Sequence, residues 1–373
     1  MNKVDTEYFR IVNEILTNGK LKKNRTGIDT IGIFGAQAKY DIDLNAFPVL
    51  TTKKIHWPAI VHELLWFISG STNIKYLVDN NVRIWNEWAY VKYKKVCANA
   101  TEPDYDIHIE DLEKNCVREM TQDEFVQKIK EDDEFAKIFG ELGEGTYGSM
   151  WRSFPTFTFS EDPNCNFFSE RDGEGIIIDR VDQLQKVIDK LKINPDDRRM
   201  IVSAWHPHWV DHCALPPCHC LYHFNTEELT DDERIHIANN MGHKIGWTSV
   251  HEMNEQECDR LNIPKRRLNC LLYQRSVDTG LGKPFNIASY SLLTAMIAQC
   301  VNMVPGTFTH SMGDTHIYVN HVDGLKLQLT REPKKLPKVW LNPEIKSLFD
   351  FKYDDIKLLD YGYHPTIKFD VAV

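Results

Sequence analysis

The chain has 373 residues, of which 42% are hydrophobic and 26% are charged, as is usual for a globular protein. This composition excludes whole-chain disorder, collagen and a coiled coil. The sequence holds no run of about 18 apolar residues, so we expect no transmembrane helix. Its polar first residues do not resemble a signal peptide, and we expect none.

The net charge of −10 and the nine cysteines limit the partners and the cellular location that we expect for the protein. An acidic chain is a poor coat for nucleic acid, so any anionic ligand needs a local cluster of arginines, and we expect no DNA partner and no membrane partner. The cysteines follow no disulfide framework, which predicts reduced thiols and a cytoplasmic location.

Apolar spacing predicts a succession of helices and strands. The chain opens with a helix capped by Asp5, and a strand over residues 30–40 follows. The apolar stretch 58–69 predicts a buried helix that ends at Gly70. The pattern then predicts helices over 181–191 and 287–301, and strands over 200–205, 220–224 and 268–274. Mixed strands and long helices indicate an α+β fold.

Two segments, at about 90–144 and 226–265, are rich in charged residues and have weak apolar periodicity. We interpret them as solvated insertions and not as linkers between domains. The sequence therefore predicts a single domain over residues 1–373 that carries two charged insertions.

The sequence Leu-Pro-Pro-Cys-His-Cys at 215–220 places a thiol at the start of a predicted strand. Two prolines stiffen the approach and remove backbone donors, so the Cys218 thiol can be aimed at a ligand. Four histidines nearby in the sequence could activate it, at 206, 208, 212 and 219. The same pattern also fits a core cysteine at a tight turn. A zinc site is disfavoured because no Cys-x2-Cys pair is present.

Several arginines stand in turns or at the predicted ends of strands. Arg25 lies in a polar turn, Arg198 and Arg199 lie between a helix and a strand, and Arg275 precedes Ser276. Guanidinium groups bind phosphate in a bidentate manner and a serine adds a hydroxyl donor, so these residues could converge on one phosphate. Ordinary surface arginines are the alternative.

Four further residues carry polar groups in unusual surroundings. Glu63 lies in an almost wholly apolar helix, where burial raises the pKa of a carboxyl toward the range useful for proton transfer, unless it faces a narrow polar stripe. His316 and Tyr318 point the same way on a strand and could bind a sugar hydroxyl, or form a half-buried edge. Asn286 could cap a helix or read the edge of a base.

In their order along the chain, these segments resemble the family of thymidylate synthases and pyrimidine nucleotide hydroxymethylases. The resemblance runs from about Tyr8 to Val373 and is interrupted by the two charged segments. The matching pieces are Asn-Arg-Thr-Gly at 24–27, Thr-Thr-Lys-Lys at 51–54, His-Glu-Leu-Leu-Trp-Phe at 62–67, Ile-Trp-Asn-Glu-Trp at 84–88, Tyr-Gly at 147–148, Asp-Arg-Arg at 197–199, Ser-Ala-Trp at 203–205, Leu-Pro-Pro-Cys-His at 215–219, Tyr-Gln-Arg-Ser-Val-Asp at 273–278, Pro-Phe-Asn-Ile-Ala-Ser-Tyr at 284–290, Gly-Asp-Thr-His-Ile-Tyr at 313–318 and the tail from His364.

The resemblance implies a folate-dependent transferase that converts dUMP to dTMP. Cys218 would add to C6 of the uracil ring, so that C5 attacks the methylene of 5,10-methylenetetrahydrofolate and dihydrofolate is released. Glu63 would organise water and proton transfers, Asn286 would hold the uracil edge, and His219 and Tyr147 would line the site.

The remaining implied roles divide between the nucleotide and the folate. The phosphate would be held by Arg25, Arg275 and Ser276, with Arg198 and Arg199 reaching in from the partner of a homodimer formed through the face of a mixed, twisted sheet. Gln274 would support the nucleotide, and His316 and Tyr318 would hold the ribose hydroxyl. On the folate side stand Lys53 for the glutamate tail, Asp278 for the pterin, and Trp85, Leu281 and Val373 as a cover. No metal is implied.

The identity of residue 286 predicts the base. Uracil presents N3–H as a donor and O4 as an acceptor, and the amide of Asn286 can match both at once. An ionised aspartate cannot donate to O4 and would favour the amino group of cytosine. Asn286 therefore favours dUMP over dCMP, by a hydrogen-bond mismatch that can be large.

The sequence also departs from the family pattern, mostly in residues expected on the folate side. Where the family has Lys-Gln, this chain has Ser149 and Met150, and the usual Gly before Gly313 is Met312. The usual Val-Phe-Leu-Gly-Leu is Thr-Gly-Leu-Gly-Lys at 279–283, His206 and Asn86 replace Asn and Asp, and the usual tail Ala-Pro is Phe-Asp at 369–370.

These departures keep two alternatives open. In a dUMP hydroxymethylase, water attacks the shared 5-methylene intermediate and gives 5-hydroxymethyl-dUMP. A nucleotide- or RNA-binding regulator on the same fold would have no need of the Cys218 thiol. The departures and insertions also suggest a viral or otherwise unusual lineage, in which case the location would be the host cytoplasm.

Overall fold

A computed structural model describes residues 2–24, 27–98, 120–160, 175–211, 213–243, 245 and 251–370. The chain forms two compact units. The first comprises Met1–Ile60, Ile188–Ile201 and Cys218–Val373, and the second comprises Val61–Val187 and Val202–Pro217. A single domain with two insertions stays a prediction.

Ten strands lie in the described ranges. They are β1 Lys20–Lys22, β2 Thr30–Asp41, β3 Phe154–Ser160, β4 Gly175–Val181, β5 Ile201–Ser203, β6 His219–Glu228, β7 Arg266–Asp278, β8 Val304–Tyr318, β9 Lys338–Leu341 and β10 Ile356–Leu359. Six of them form one sheet in the order β1-β2-β8-β7-β6-β5, while β3–β4 and β9–β10 form two-stranded sheets. The pair β7–β8 is parallel and β2–β8 and β6–β7 are antiparallel, so the large sheet is mixed.

Twelve α-helices are described. They are α1 Lys3–Asn18, α2 Trp57–Ser69, α3 Lys75–Asp79, α4 Asn86–Ala98, α5 Gln122–Glu131, α6 Asp133–Phe139, α7 Tyr147–Arg152, α8 Gln183–Ile193, α9 Asp231–Asn240, α10 His251–Arg260, α11 Gly282–Cys300 and α12 Val322–Leu329. The predicted α+β content and the predicted helix 58–69 are confirmed. Gly70 ends α2 at a φ of +81°, a conformation that glycine adopts at little cost.

The core of the first unit lies between α11 and the large sheet. Helix α11 packs on β7 and β8 and is buried on all sides, which is why its sequence lacks an amphipathic period. The ring of Tyr290 stacks on Phe308 with centroids 5.9 Å apart, and Phe308 stacks on Tyr40 at 6.0 Å. This aromatic column fixes α11 against the sheet and so fixes the residues at the start of the helix.

The opening helix differs from its prediction at the cap. Asn2, and not Asp5, accepts the backbone N–H groups of the first turn. The Asp5 carboxylate is fully buried and accepts hydrogen bonds from the backbone and hydroxyl groups of Thr51 and Thr52. A carboxylate with four such donors is well satisfied away from water, so the Thr51-Thr52 pair serves as its buried partner.

The predicted helix over 287–301 begins earlier in the structure. Helix α11 starts at Gly282 with Leu281 at the N-cap position, so Asn286 lies inside the helix. The capping alternative for Asn286 is therefore wrong. Pro284 is compatible with this earlier start because the first turn of a helix needs no backbone donors.

The two charged segments contain buried cores of their own, so the expectation of solvated surface is wrong for these parts. In the second unit, the Tyr93 ring lies 5.1 Å from Phe125 and 5.2 Å from Phe139. In the first unit, Ile235 of α9 and Cys258 of α10 pack in one buried cluster with Ile263, which follows α10. Because the buried apolar residues of the two segments come from different parts of the chain, a count of apolar periodicity along the sequence does not reveal them.

The expectation of reduced thiols holds for six cysteines but not for a seventh. The thiols at positions 213, 218, 220, 258, 270 and 300 are outside disulfides, whereas Cys97 is disulfide-bonded. Of the helices described, none has the length and apolar character needed to cross a membrane.

Candidate active site

The register of the large sheet brings most of the predicted nucleotide residues to one edge. The backbone N–H of Arg275 donates to the carbonyl of Cys218 at 2.9 Å. Asp278 pairs with His316 in the parallel β7–β8 ladder, and His316 pairs with Gly32 on β2. The start of β6, the ends of β7 and β8 and the start of β2 therefore meet at the same edge.

Cys218 leads directly into a buried polar triad. The Nδ2 of Asn286 donates to Nε2 of His219 at 2.9 Å, and Tyr290 contacts Nδ1 of the same ring through its hydroxyl at 3.2 Å. Burial lowers the pKa of His219 to about 3, so the imidazole is neutral at pH 7. A neutral His219 cannot activate the thiol as a cation, and its geometric role is to orient the Asn286 amide.

The Asn286 amide is left with unused hydrogen-bonding capacity. The residue is 8% exposed, and its Oδ1 has no partner among the described residues. One of the two Nδ2 hydrogens goes to His219, so one donor and one acceptor remain on the same amide edge. A buried oxygen without a partner is costly, which indicates that a ligand donor normally faces it.

Gln274 on β7 and the neighbouring residues His316 and Tyr318 on β8 are further polar residues at this edge of the sheet. Gln274 is buried, with Oε1 held 2.8 Å from Nε2 of His310 and Nε2 donating to the Ser276 carbonyl. His316 contacts Asp314 Oδ1 through Nδ1 at 3.0 Å, and its ring meets Tyr318 edge-on at 5.3 Å. The predicted common orientation of His316 and Tyr318 is confirmed.

The turn after β7 carries the predicted folate residues Asp278 and Leu281. Asp278 Oδ1 accepts the N–H groups of Gly280 and Leu281, at 2.8 and 3.2 Å, which fixes the turn. Its Oδ2 has no hydrogen-bond partner within the described ranges and can accept from a ligand. The Lys53 ammonium donates to the Gly280 carbonyl and is 5% exposed, and burial lowers its pKa to about 8.

The predicted phosphate residues are brought together only in part. Arg275 and Ser276 lie at the sheet edge, whereas Arg198 and Arg199 are exposed in the loop between α8 and β5. The Arg199 side chain is 85% exposed and held by Asp197, and Arg198 makes no ion pair in the described part of the chain. Arg25 and Val373 lie outside the described residues.

In the second unit, three predicted residues form one aromatic cluster. The indole N–H of Trp85 donates to Glu63 Oε1 at 2.8 Å. The Tyr147 ring lies 6.0 Å from Trp85 and 4.9 Å from Phe67, which stands one helical turn after Glu63. Burial raises the pKa of Glu63 to about 7, and the Trp85 bond opposes this shift. The predicted proton-transfer carboxyl is therefore poised near neutral pH.

A family model described as thymidylate synthase matches residues 6–373. The chain belongs to the thymidylate synthase family. It is 43% identical over 367 residues to a thymidylate synthase of Mycoplasma pneumoniae, across 98% of this chain and 99% of that protein. Thymidylate synthases of Malacoplasma penetrans and Mycoplasma genitalium are 44% and 42% identical over the same length and coverage.

The coverage of these relatives bears on the two charged segments. The relatives come from mycoplasmas and are matched over nearly their whole length, so the two segments are not peculiar to this chain. All three are named thymidylate synthases, and none supports a hydroxymethylase or a binding regulator.

Four residues of the site were missed by sequence reasoning. Tyr290 supports His219, and His321 contacts both Asp278 and the tail residue Asp370. Lys283 and Phe369 were noted only as departures from the thymidylate synthase pattern. Lys283 is fully buried with its amine 3.1 Å from Met312 Sδ, so two departures are direct neighbours. No group of three or more potential metal ligands occurs among the described residues.

Proposed function

We propose that the protein is a thymidylate synthase that methylates dUMP at C5 through a covalent adduct between Cys218 and C6. The observation that carries this proposal is the free amide edge of Asn286, held by His219 next to Cys218. Its acceptor matches N3–H of uracil and its remaining donor matches O4. Membership of the thymidylate synthase family supports the reaction type.

The chain's own residues would act in sequence. The Cys218 thiolate bonds to C6, and the negative charge that develops on C5 and O4 is stabilised by the Asn286 N–H. C5 then bonds to the one-carbon unit and loses its proton, and the bond between that unit and the folate nitrogen breaks. Hydride donated by the reduced folate converts the methylene to a methyl group, and the Cys218–C6 bond breaks to release the thiolate. A carboxyl with a pKa near 7, as in Glu63, can both accept and return protons during these steps.

The folate side fits a reduced pterin. 5,10-Methylenetetrahydrofolate would supply the methylene and the hydride that reduces it. The unused oxygen of Asp278 can accept from the N3–H and 2-amino donors of a pterin, and the fixed turn holds that carboxylate in place. Leu281 follows in the same turn, and Trp85 is proposed to cover the folate with Val373. The binding of the glutamate tail by Lys53 stays a proposal.

A homodimer formed through the sheet face is part of the proposal. On the face of the sheet opposite α11, Leu271 and Tyr273 of β7 are exposed, and Phe34 of β2 is 81% exposed. Apolar side chains of this size on one sheet face are typical of a surface that another protein covers. The exposed Arg198 and Arg199 are then available to reach the partner's phosphate site. A cytoplasmic location is proposed with it.

The product decides the function. Purified protein is mixed with dUMP and 5,10-methylenetetrahydrofolate, dihydrofolate is followed by its absorbance, and the nucleotide is weighed by mass spectrometry. dTMP with an equal amount of dihydrofolate supports the proposal. 5-Hydroxymethyl-dUMP without dihydrofolate would instead identify a hydroxymethylase, and dUMP binding without turnover would identify a regulator.

Asn286→Asp should exchange the preferred base. A carboxylate cannot donate to O4 of uracil but accepts from the amino group of cytosine, so we expect kcat/KM for dUMP to fall about 10²-fold or more and turnover of dCMP to become measurable. Both substrates are assayed under the same conditions. Asn45→Asp, at an exposed turn position, is the control and should leave both values unchanged. An unchanged preference for dUMP would remove Asn286 from base recognition.

Glu63→Gln should lower kcat about 10²- to 10⁴-fold, as is typical for loss of a proton-transfer group. The wild-type pH profile should contain an ionisation near pH 7, with the carboxyl protonated below it, and Glu63→Gln should lack it. Trp85→Phe keeps a ring but removes the N–H that stabilises the carboxylate, so the same ionisation should move to higher pH. An ionisation near pH 7 that survives in Glu63→Gln would belong to another group.

A further inference from the structure

Phe369 is the one buried residue in the last ten that the structure describes. It is 9% exposed, while the side chains of its neighbours Lys368 and Asp370 are 91% and 73% exposed. A large apolar residue that is buried in an otherwise exposed segment marks the point at which that segment is attached.

The ring of Phe369 occupies a socket built from three residues. The Lys53 ammonium lies 4.7 Å from the ring centroid, and the His321 ring lies 4.7 Å away on another side. Gly324 of α12 completes the socket, because a Cβ at this position would stand 2.6 Å from Cε1 of Phe369. The socket therefore requires glycine at 324 although alanine is the better helix former.

The same residues reach the turn that carries Asp278. His321 contacts the Asp370 carbonyl through Nε2 at 2.8 Å, and its Nδ1 lies 3.9 Å from Asp278 Oδ1. Lys53, which faces the Phe369 ring, also donates to the Gly280 carbonyl. The tail and the Asp278 turn are thus held by the same two side chains.

Two departures from the family pattern compensate each other in this arrangement. The family usually has Phe at the position of Gly280 and Ala at that of Phe369. This chain therefore has a small residue where the family has an aromatic ring, and an aromatic ring where the family has a small residue. A Cβ on Gly280 would stand 2.9 Å from Nδ1 of His321, so a side chain there would displace the imidazole that holds the tail. The aromatic ring on this side of the site comes from the tail and not from the turn.

We propose that Phe369 is a positioning residue that seats the C-terminal segment in the Lys53–His321–Gly324 socket. The segment is thereby joined to the turn of Asp278 and Leu281, so that both are positioned together on the folate side. Lys53 then links the C-terminal segment to the Asp278 turn, because its amine contacts the ring of Phe369 and donates to the carbonyl of Gly280. The effect on folate rests on the proposed function, whereas the attachment of the tail does not.

The attachment is tested without ligand by digestion of the full-length protein with a carboxypeptidase, followed by intact mass. Gly324→Ala leaves the tail sequence unchanged but forces the ring from its socket, so release of Phe369 should accelerate at least tenfold over wild type. That factor corresponds to about 1.4 kcal/mol of lost protection. Thr366→Ala, at an exposed position of the same segment, should match wild type. Equal rates for Gly324→Ala and wild type would overturn the proposal.

A thermal melt separates eviction of the ring from general damage to α12. In the Phe369→Ala background the clash with the ring is absent and only the Ile367 methyl, 3.0 Å from the added Cβ, has to shift, so Gly324→Ala should destabilise that background much less than wild type. A loss of the same size in both backgrounds would mean that Gly324 matters for another reason, and the socket would be wrong.

The kinetic test asks whether the tail positions the folate. Phe369→Ala should raise KM for 5,10-methylenetetrahydrofolate about tenfold and leave KM for dUMP within twofold, because the socket meets the Asp278 turn. Equal losses for both substrates would reduce Phe369 to a structural residue. If no variant has activity because the proposed reaction is wrong, the digestion result still decides whether the tail is attached.

Discussion

Replacing Cys218 by serine should lower kcat about 10⁴-fold or more while dUMP still binds. The hydroxyl of serine is nearly the size of the thiol but is a far weaker nucleophile, so the adduct at C6 would not form. The contacts of Asn286, Gln274 and His316 do not involve the thiol and remain. Single-turnover kinetics measures the first effect, and calorimetric titration with dUMP measures the second, with Kd expected within about threefold of wild type.

Cys220→Ser is the matched control because Cys220 lies two residues away in β6, the strand that begins directly after Cys218. Burial raises the pKa of the Cys220 thiol, which makes it a poor nucleophile, and its replacement should change kcat by less than about fivefold. Undiminished turnover in Cys218→Ser would exclude the covalent mechanism. Loss of dUMP binding along with turnover would mean that the substitution disrupts the site.

The same variant tests the shared site of the proposed dimer. Cys218→Ser is mixed with a variant in which Arg198 and Arg199 are both alanine, under conditions that allow subunits to exchange. If the arginines act across the interface, each mixed dimer has one intact site, and random exchange should restore about a quarter of wild-type activity. Two variants that stay inactive on mixing would place the arginines in the site of their own chain.

The sequence predicted the elements whose signal is local and failed where contacts join distant segments. Helix α2 was predicted from a strongly apolar stretch between Pro58 and Gly70, and strand β2 from apolar runs rich in Ile and Phe. Asp5 was predicted to cap the first helix because aspartate commonly caps helices. The four groups that donate hydrogen bonds to its carboxylate belong to Thr51 and Thr52, which lie 46 and 47 residues further along the chain.

The candidate site shows the same division. Glu63 was found because a carboxyl in an apolar helix is conspicuous, and its raised pKa agrees with that interpretation. His321 and Phe369 could not be found by spacing, since their contact joins α12's N-terminal end to the tail and depends on a glycine at 324. Lys53 matched a motif, but no local pattern indicated that its amine would be buried against Gly280.

Lys283→Met should stabilise the protein by about 3 kcal/mol at pH 7. Lys283 is fully buried, and burial lowers the pKa of its amine from 10.5 to about 7, with only a partial offset from the charge of Glu7. Among the residues that the structure describes, its one hydrogen-bond partner is the thioether of Met312, a weak acceptor, and the centroid of the Tyr40 ring lies 5.8 Å from the amine. This shift in pKa corresponds to a loss of as much as about 5 kcal/mol in the free energy of unfolding at neutral pH. Methionine has a similar length but no charged group, so the substitution should recover a large part of that loss.

The gain in stability from Lys283→Met should be largest at and below pH 7 and should decrease as the pH rises. At and below pH 7 the amine is charged in the unfolded chain and must lose its proton or its hydration on folding, so the penalty is full. As the pH rises from 7 toward 10.5 the unfolded amine also becomes neutral, the penalty fades, and wild-type stability should approach that of the variant. Urea unfolding across this range measures the difference between the two proteins.

Lys39→Met provides the control, because Lys39 is exposed on β2 and its replacement should change stability by less than about 0.5 kcal/mol at any pH. A Lys283→Met variant that is no more stable at pH 7 than wild type would mean that the amine is well solvated or paired in solution. A gain at pH 7 that persists unchanged to pH 10.5 would point to packing and not to charge, since only the burial of an ionisable group predicts a gain that disappears as the amine loses its proton.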